Sequence, residues 1–321
     1  MEKLFRLLFV VVIISSCKKN NGSSGGTTTP VLPDTLTTGW SKISTLPREN
    51  FKDIFFTDNT NGFAVSSNGI YKSTNAGTDW TKLNSTSAIN LLQVSAINNN
   101  NACFINGSTS IAITQNGGST FANPVYNNPG GTDAGFSSCF FSSAAACYFC
   151  SDQYMWKSTD AGITIDTVFH FQNIGSSSSL FFLNDMEGWL LRLDGVYKTA
   201  DGGELWSIDT TITDGYGKIQ FIDSNNGYFS NYGTINKTTD AGLTWLPVYH
   251  TGFQIYTDID FINVNEGYCS FNNKILKTTD AGTTWTLVVA LGNEFINKMH
   301  FIDANHGWAC TSDGIIVKYE Q

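Results

Sequence analysis

Positive charge is scarce in this 321-residue sequence. Eighteen lysines and arginines face 27 aspartates and glutamates, which gives a formal net charge of −9, and beyond residue 16 the arginines are Arg48 and Arg192 alone. Nucleic acids and anionic lipid surfaces bind proteins through clustered Lys and Arg. The composition therefore argues against a nucleic-acid partner and against electrostatic binding to a membrane.

Charge of either sign is also sparse, and metal-binding patterns are missing. Only 14% of the residues are charged, too few for solvated amphipathic helices, whereas 30 Gly, 23 Phe, 12 Tyr and 8 Trp favour an all-β fold. The four histidines show no HxH or HExxH spacing. We therefore predict neither a metal site nor a cofactor.

The apolar run near the N-terminus is too short to span a bilayer. Lys3 and Arg6 precede an apolar stretch over residues 7–14, and small residues lead to Cys17. Ile14-Ser15-Ser16-Cys17 resembles the bacterial lipobox, which implies a signal peptide over residues 1–16 and acylation of Cys17. We expect an exported protein, anchored through lipid to a bacterial membrane, the outer one, with its leaflet left open. A Gly/Ser/Thr-rich flexible tether is predicted over residues 17–38.

A repeat of about 40 residues organises the rest of the chain. Six segments of the type KTTDAGTTW align, and each has an acid or amide at its centre. These central residues are Asn75, Asn116, Asp160, Asp201, Asp240 and Asp280. Their side chains suit a hairpin turn, because Asp or Asn can bind turn amides while Gly adopts positive φ. We predict a structural role for all six.

A second motif, an apolar strand that turns through Asp or Asn and Gly into an aromatic residue, occurs seven times. IQFIDSNNGY (219–228) and MHFIDANHGW (299–308) are two copies. The last copy runs out of chain before its outer strand, and Trp40 with the residues around it matches the segments that follow the other turns. The sequence thus predicts one seven-bladed β-propeller of four-stranded blades over residues 39–321, closed by an N-terminal outer strand.

The central segments resemble the Asp-box motif of bacterial neuraminidase repeats. Combined with the hairpin motif, the pattern is similar to the photosystem II stability/assembly factor family and its bacterial lipoprotein relatives. The resemblance implies a propeller that binds or assembles other proteins. Those proteins use an Arg-lined patch that this chain lacks, and a sialidase needs three clustered arginines, which excludes that activity here.

Cysteine spacing leaves one further hypothesis. Cys147 and Cys150 have the spacing of a redox or zinc pair, but three residues along a strand place their side chains on opposite faces. An exported compartment permits disulfides, and Cys139 with Cys150 is the candidate pair.

Loops at one end of the predicted blades vary in length and chemistry, which is typical of a binding face. The candidate binding residues there are Arg48, Asp53, Arg192, Tyr216, Lys218, Tyr256, Asp258 and Lys298. With no assembled catalytic set, the sequence favours a non-enzymatic scaffold that binds an envelope protein or a glycan. The alternatives are a glycan-binding module or a glycoside hydrolase that uses Asp53 and Asp258.

Overall fold

The computed structural model describes residues 33–43, 46–84, 90–108, 110–124, 126, 135–172, 175–209, 212, 215–255 and 258–321. The predicted signal peptide, Cys17 and Tyr256 lie outside these ranges. Strands, turns and bends make up the described residues, and none of them belongs to a helix that could cross a membrane.

The described strands form seven small antiparallel sheets, the blades of the propeller. Two N-terminal strands come first, β1 (Thr35–Leu36) and β2 (Trp40–Ile43). Blades one to three contain β3 (Phe51–Phe56), β4 (Gly62–Ser66), β5 (Gly69–Ser73) and β6 (Thr81–Lys82); β7 (Gln93–Ala96), β8 (Ala102–Ile105) and β9 (Ile111–Thr114); and β10 (Ser138–Phe141), β11 (Cys147–Cys150), β12 (Tyr154–Ser158) and β13 (Asp166–His170).

The remaining blades follow the same order from the channel outwards. Blades four and five contain β14 (Ser177–Phe182), β15 (Gly188–Arg192), β16 (Gly195–Thr199) and β17 (Ser207–Asp209), then β18 (Ile219–Phe221), β19 (Gly227–Thr238) and β20 (Leu246–Ile255). Blades six and seven contain β21 (Asp258–Phe261), β22 (Gly267–Phe271), β23 (Lys274–Thr278) and β24 (Thr286–Ala290), then β25 (Ile296–Phe301), β26 (His306–Thr311) and β27 (Ile316–Glu320).

Two blades vary the four-stranded plan. In blade two the described part of the outer strand is a single bridge between Ile113 and Ala122. In blade five, β19 continues through the positions of both the second and third strands. The predicted all-β, seven-bladed propeller is confirmed.

The N-terminus closes the ring as the sequence predicted. Strand β2 pairs with β27 as the outer strand of blade seven, with Trp40 opposite Tyr319. The Trp40 side chain is buried against Tyr268 and Phe301, its ring centroid 6.1 and 5.9 Å from theirs. An N-terminal strand thus completes the last blade.

The predicted tether boundary at residue 38 is wrong. Strand β1 adds a fifth strand to blade six, with Thr35 opposite Ala290. Asp34 accepts a hydrogen bond from the Gly292 amide (2.8 Å) and pairs with Lys42 Nζ (2.9 Å). The segment from Asp34 therefore belongs to the propeller, and it joins blade six to blade seven.

The turns around the six central repeat residues share one hydrogen-bond pattern. In blade five, the Thr238 hydroxyl donates to Asp240 Oδ1 (2.7 Å) and the Thr244 amide donates to the same oxygen (2.9 Å), while the Gly242 amide donates to Thr238 Oγ1 (3.0 Å). The Thr244 and Thr238 donors lower the pKa of Asp240 to about 2. The Asp240 carboxylate therefore stabilises its own turn by accepting hydrogen bonds within it.

Stacked aromatic rings fill most junctions between neighbouring blades. The residue of one blade's second strand that follows a hairpin glycine or, in blade three, Cys147, lies flat on the last aromatic residue of the next blade's inner strand. Five such ring pairs stack at 3.5–3.8 Å between centroids. They are Trp308 on Phe56, Tyr148 on Phe182, Trp189 on Phe221, Tyr228 on Phe261 and Tyr268 on Phe301. Such pairs contribute about 1 kcal/mol each beyond the area they bury.

The predicted Cys139–Cys150 disulfide is absent. Cys139 lies opposite Phe149 and Cys150 lies opposite Ser138, so the two cysteines point to opposite faces of blade three. Side chains on opposite faces cannot reach disulfide geometry. All six cysteines in the described residues are free thiols and buried.

Candidate binding site at the channel mouth

The inner strands of the blades surround a central channel. Each inner strand pairs on one side with the second strand of its blade, and its other edge faces the channel. A cavity of about 180 Å³ lies there, lined among others by Asp53, Gln93, Ser179, Lys218 and Lys298. This volume is below the roughly 300–1,000 Å³ of most small-molecule sites.

Polar side chains on the inner strands cap the strand edge of the next blade. In each case a side-chain oxygen accepts a hydrogen bond from a backbone amide of the following inner strand. The contacts are Asp53 with Val94 (3.0 Å), Gln93 with Cys139 (2.9 Å), Ser95 with Phe141 (3.0 Å), Ser138 with Leu180 (3.2 Å), Ser179 with Ile219 (3.2 Å), Gln220 with Phe261 (2.7 Å), Asp258 with Met299 (2.8 Å) and Asp260 with Phe301 (2.8 Å). These side chains satisfy amides that would otherwise lack partners in the channel wall.

Charged side chains at the channel gather on blades five, six, seven and one. The structure brings together three of the predicted binding residues: Lys218 and Lys298 place Nζ 3.2 and 3.5 Å from Oδ1 of the fully buried Asp258. Burial opposes charge on Lys218, but the carboxylates of Asp258 and Asp260 outweigh it and raise the pKa of Lys218. Lys218 therefore keeps its charge beside the buried Asp258, and Lys298 approaches the same oxygen.

Asp53, the fourth predicted residue at the channel mouth, is buried on the inner strand of blade one, beside blade two. Burial raises the pKa of Asp53 to about 6, against the opposing effects of Lys298 and of the Val94 amide. Its Oδ1 accepts from the Ile54 amide (2.9 Å) and its Oδ2 from the Val94 amide. Both oxygens therefore have backbone partners.

Two residues of the cluster were not predicted from the sequence. Asp260 and His300 each follow a predicted residue by two positions, a spacing that puts them on the same strand face. His300 Nε2 lies 2.9 Å from the Phe56 carbonyl oxygen, and burial lowers the pKa of His300. The period-two spacing in the inner strands was the signal that could have found them.

The structure corrects the prediction for Arg192. Its side chain is fully buried, and its guanidinium donates to the Asp152 carbonyl and to Ser177 Oγ, each at 3.1 Å. The guanidinium carbon lies 4.2 Å from the ring centroid of Phe171. A cation enclosed in this way joins blades three and four and is not available to a partner.

Arg48 and Tyr216 lie on the surface at the predicted end of the blades. The Arg48 side chain is 84% exposed and pairs with Asp313 (3.2 Å). Tyr216 and Tyr232 are each 49% exposed and stack on one another, with 5.6 Å between centroids and 24° between ring planes. Tyr216 precedes an inner strand and Tyr232 lies between the positions of the second and third strands, which are the same end of an antiparallel blade.

Further apolar side chains are exposed at this end. They occupy either the entry to an inner strand or the turn between the second and third strands, and they are Leu92 (45% exposed), Leu193 (39%) and Phe295 (55%). We call this end, with Arg48, Tyr216 and Tyr232, the mouth face. Aromatic and apolar side chains exposed around a rigid rim favour an interaction surface.

The fold and this site define a seven-bladed β-propeller with a polar channel and an apolar rim. It is similar to YCF48 from Cyanidioschyzon merolae (TM-score 0.74, 15% identity, covering 88% of this chain and 99% of that one). It is also similar to YCF48 bound to a D1 peptide (TM-score 0.73, 16% identity, 91% and 97% covered).

An enzyme shares the same architecture. The Niastella koreensis GH74 enzyme matches with a TM-score of 0.68 and 14% identity, covering 87% of this chain and 53% of the enzyme. No protein-family model matches the sequence, and no curated protein matches it. Identities this low establish the fold alone, and for the fold they confirm the resemblance to photosystem II assembly-factor-like propellers.

Proposed function

We propose that this protein is a non-enzymatic scaffold, exported and anchored by lipid at Cys17, that binds a partner protein through the mouth face. The observation that carries the proposal is the stacked pair of Tyr216 and Tyr232, each half exposed on a rigid rim. Tyrosine is enriched among residues that dominate binding energy, because its ring offers apolar area and its hydroxyl a hydrogen bond.

The channel chemistry supports binding over catalysis. Asp53 and Asp258 are buried and already bind the backbone amides of the next blade. Lys218 and Lys298 are paired with Asp258. A similar propeller, YCF48, has been seen bound to a peptide, which also favours a protein ligand.

The binding proposal is tested on the full-length protein in solubilised envelope. Cross-linked partners of the parent chain are identified, and the affinity for them is measured for Tyr216→Ala and Tyr232→Ala. Each change should weaken binding at least tenfold, since hot-spot side chains contribute about 2 kcal/mol. Leu243→Ala, a 76% exposed residue on the repeat turn of blade five, is the matched control and should change nothing. Unchanged affinity in the double tyrosine variant, with an unchanged melting temperature, would contradict the proposal.

The lipid anchor needs its own experiment. The basic start, the short apolar run and Ile14-Ser15-Ser16-Cys17 motivate it. Cells grown with a clickable palmitate should label the parent protein and leave Cys17→Ala unlabelled and released from the membrane. Label retained by Cys17→Ala would refute acylation at this residue.

Glycan binding or hydrolysis is the second candidate function. The fold similarity to a GH74 enzyme favours it, as does the pKa of about 6 at Asp53, a value suited to a general acid. A hydrolase should release reducing sugar from a panel of glycans and lose that release in Asp53→Asn or Asp258→Asn. Such activity, abolished by one carboxylate change, would replace the scaffold proposal.

A further inference from the structure

The junction between blades two and three lacks the ring stack that fills most others. Ala102 lies opposite Ala96, as Gly307 lies opposite Phe301, so the next residue, Cys103, takes the position that Trp308 has in blade seven. A thiol thus replaces an aromatic ring at this junction.

The backbone of blade three is held close to this thiol. Cys103 lies opposite Ser95, and Ser95 Oγ accepts a hydrogen bond from the Phe141 amide of blade three (3.0 Å). The Cys139 amide donates to Gln93 Oε1 (2.9 Å). Strand β10 is therefore fixed along blade two from Cys139 to Phe141.

The two thiols meet within one apolar cluster. Cys103 and Cys139 are fully buried in the same cluster between the two blades, and Cys103 lies on the strand face of Ser95, whose hydroxyl bonds blade three. Among the described residues, neither thiol belongs to a group of side chains that could hold a metal ion. Two buried thiols that share one apolar cluster across a blade junction are positioned for a covalent bond.

We propose that Cys103 and Cys139 form a disulfide that links blade two to blade three when the chain folds with a disulfide oxidant such as oxidised glutathione. One thiolate attacks the oxidant's disulfide and releases one reduced thiol. The second cysteine then displaces the second reduced thiol from the mixed disulfide. Two electrons and two protons leave the protein, and one S–S bond replaces two S–H bonds.

The proposal also predicts when the bond forms. Burial raises the pKa of both thiols, and only a thiolate attacks a disulfide. The reduced, folded protein should therefore resist oxidation. The cross-link should form during folding, before the junction closes over the thiols.

The experiment refolds the full-length protein with a mixture of oxidised and reduced glutathione and maps non-reduced peptides by mass spectrometry. We expect a linked peptide containing Cys103 and Cys139 and a rise in melting temperature of roughly 5 °C over the reduced protein, because the bond closes a loop of roughly 35 residues. Cys103→Ala and Cys139→Ala should each remove both the linked peptide and the rise. Cys269→Ala, a buried thiol of blade six, should keep both.

Two outcomes would overturn the proposal. One is a folded, oxidised protein in which both cysteines remain alkylatable after denaturation. The other is a linked peptide that joins Cys139 to Cys147, the third thiol of the same cluster. Because the readout is peptide linkage and melting temperature, failure here leaves the partner-binding proposal intact.

Discussion

The junction of blade seven with blade one and that of blade two with blade three use the same backbone position differently. Trp308 stacks on Phe56 at 3.6 Å, and its Nε1 donates to the Ala76 carbonyl of the next blade (3.0 Å). At the other junction Cys103 occupies that position. The first two strands of the blade pair in the same register at both junctions. Strand pairing and the side-chain caps on the strand edges therefore set the geometry, whereas the side chain that fills the junction varies.

The channel shows the same contrast. On blades six and one, Asp258 and Asp53 cap the next strand, whereas on blades two to four Gln93, Ser138 and Ser179 do so without charge. One structural task is met by either chemistry. The fold therefore does not require charge at these channel positions. Charged side chains line the channel on blades five, six, seven and one, the charged arc, and uncharged side chains cap the strands on blades two to four, the neutral arc.

The largest expected effect comes from removing ring closure. Deleting residues 34–43 takes away β1, β2 and the buried Trp40, and it leaves β27 with an open edge. We expect the deletion variant to aggregate, which light scattering measures, or to lose cooperative unfolding, which circular dichroism measures. A deletion of residues 18–32 is the control and should melt like the parent. A 34–43 deletion that melts like the parent would contradict closure by the N-terminus.

Truncating the side chain at the shared position compares how much each junction contributes to stability. Trp308→Ala removes a stacked, hydrogen-bonded ring and should lower the free energy of unfolding by about 3–5 kcal/mol. Cys103→Ala should cost about 1 kcal/mol in the reduced protein, since it removes a single sulfur atom. Urea unfolding measures the free energy of unfolding of both variants, and the comparison holds where their m-values equal that of the parent. Equal losses would show that the aromatic stack is not what distinguishes the junctions.

The last expected effect is a pH dependence of stability that arises on the charged side of the channel. The folded-state pKa of Asp53, about 6, is above its ordinary value of 3.8, so the folded protein binds more protons than the unfolded chain between these values. The contribution of Asp53 to stability is therefore full below pH 3.8 and is lost as the pH rises to 6, by up to about 3 kcal/mol.

Asp53→Asn should abolish this slope, because an amide oxygen can still accept from Val94 but does not titrate. Ser95→Ala on the neutral arc should lower stability equally at pH 4 and pH 6. Urea unfolding at half-unit pH intervals checks both variants. A slope between pH 4 and 6 that survives in Asp53→Asn would show that another group titrates there.

The sequence alone determined the architecture, because each blade of the propeller corresponds to one copy of a sequence repeat. The 40-residue period, the turn residues such as Asp240 and Gly242, and the match of Trp40 to later tryptophans are local patterns with one geometric solution. They predicted the number of blades and the strand that closes the ring. The same alternation could have placed Asp260 and His300 on the channel face.

Tertiary structure decided what those residues meet. No pattern in the sequence shows that Arg192 is enclosed by Phe171 and the Asp152 carbonyl, or that Thr35 adds a strand to blade six. Nor does any pattern show that Cys139 shares its cluster with Cys103, whereas Cys150 lies in another. Each of these contacts joins segments of neighbouring blades, or the two ends of the chain. Their geometry depends on the angle at which whole sheets pack around the ring, which periodicity along one strand does not encode.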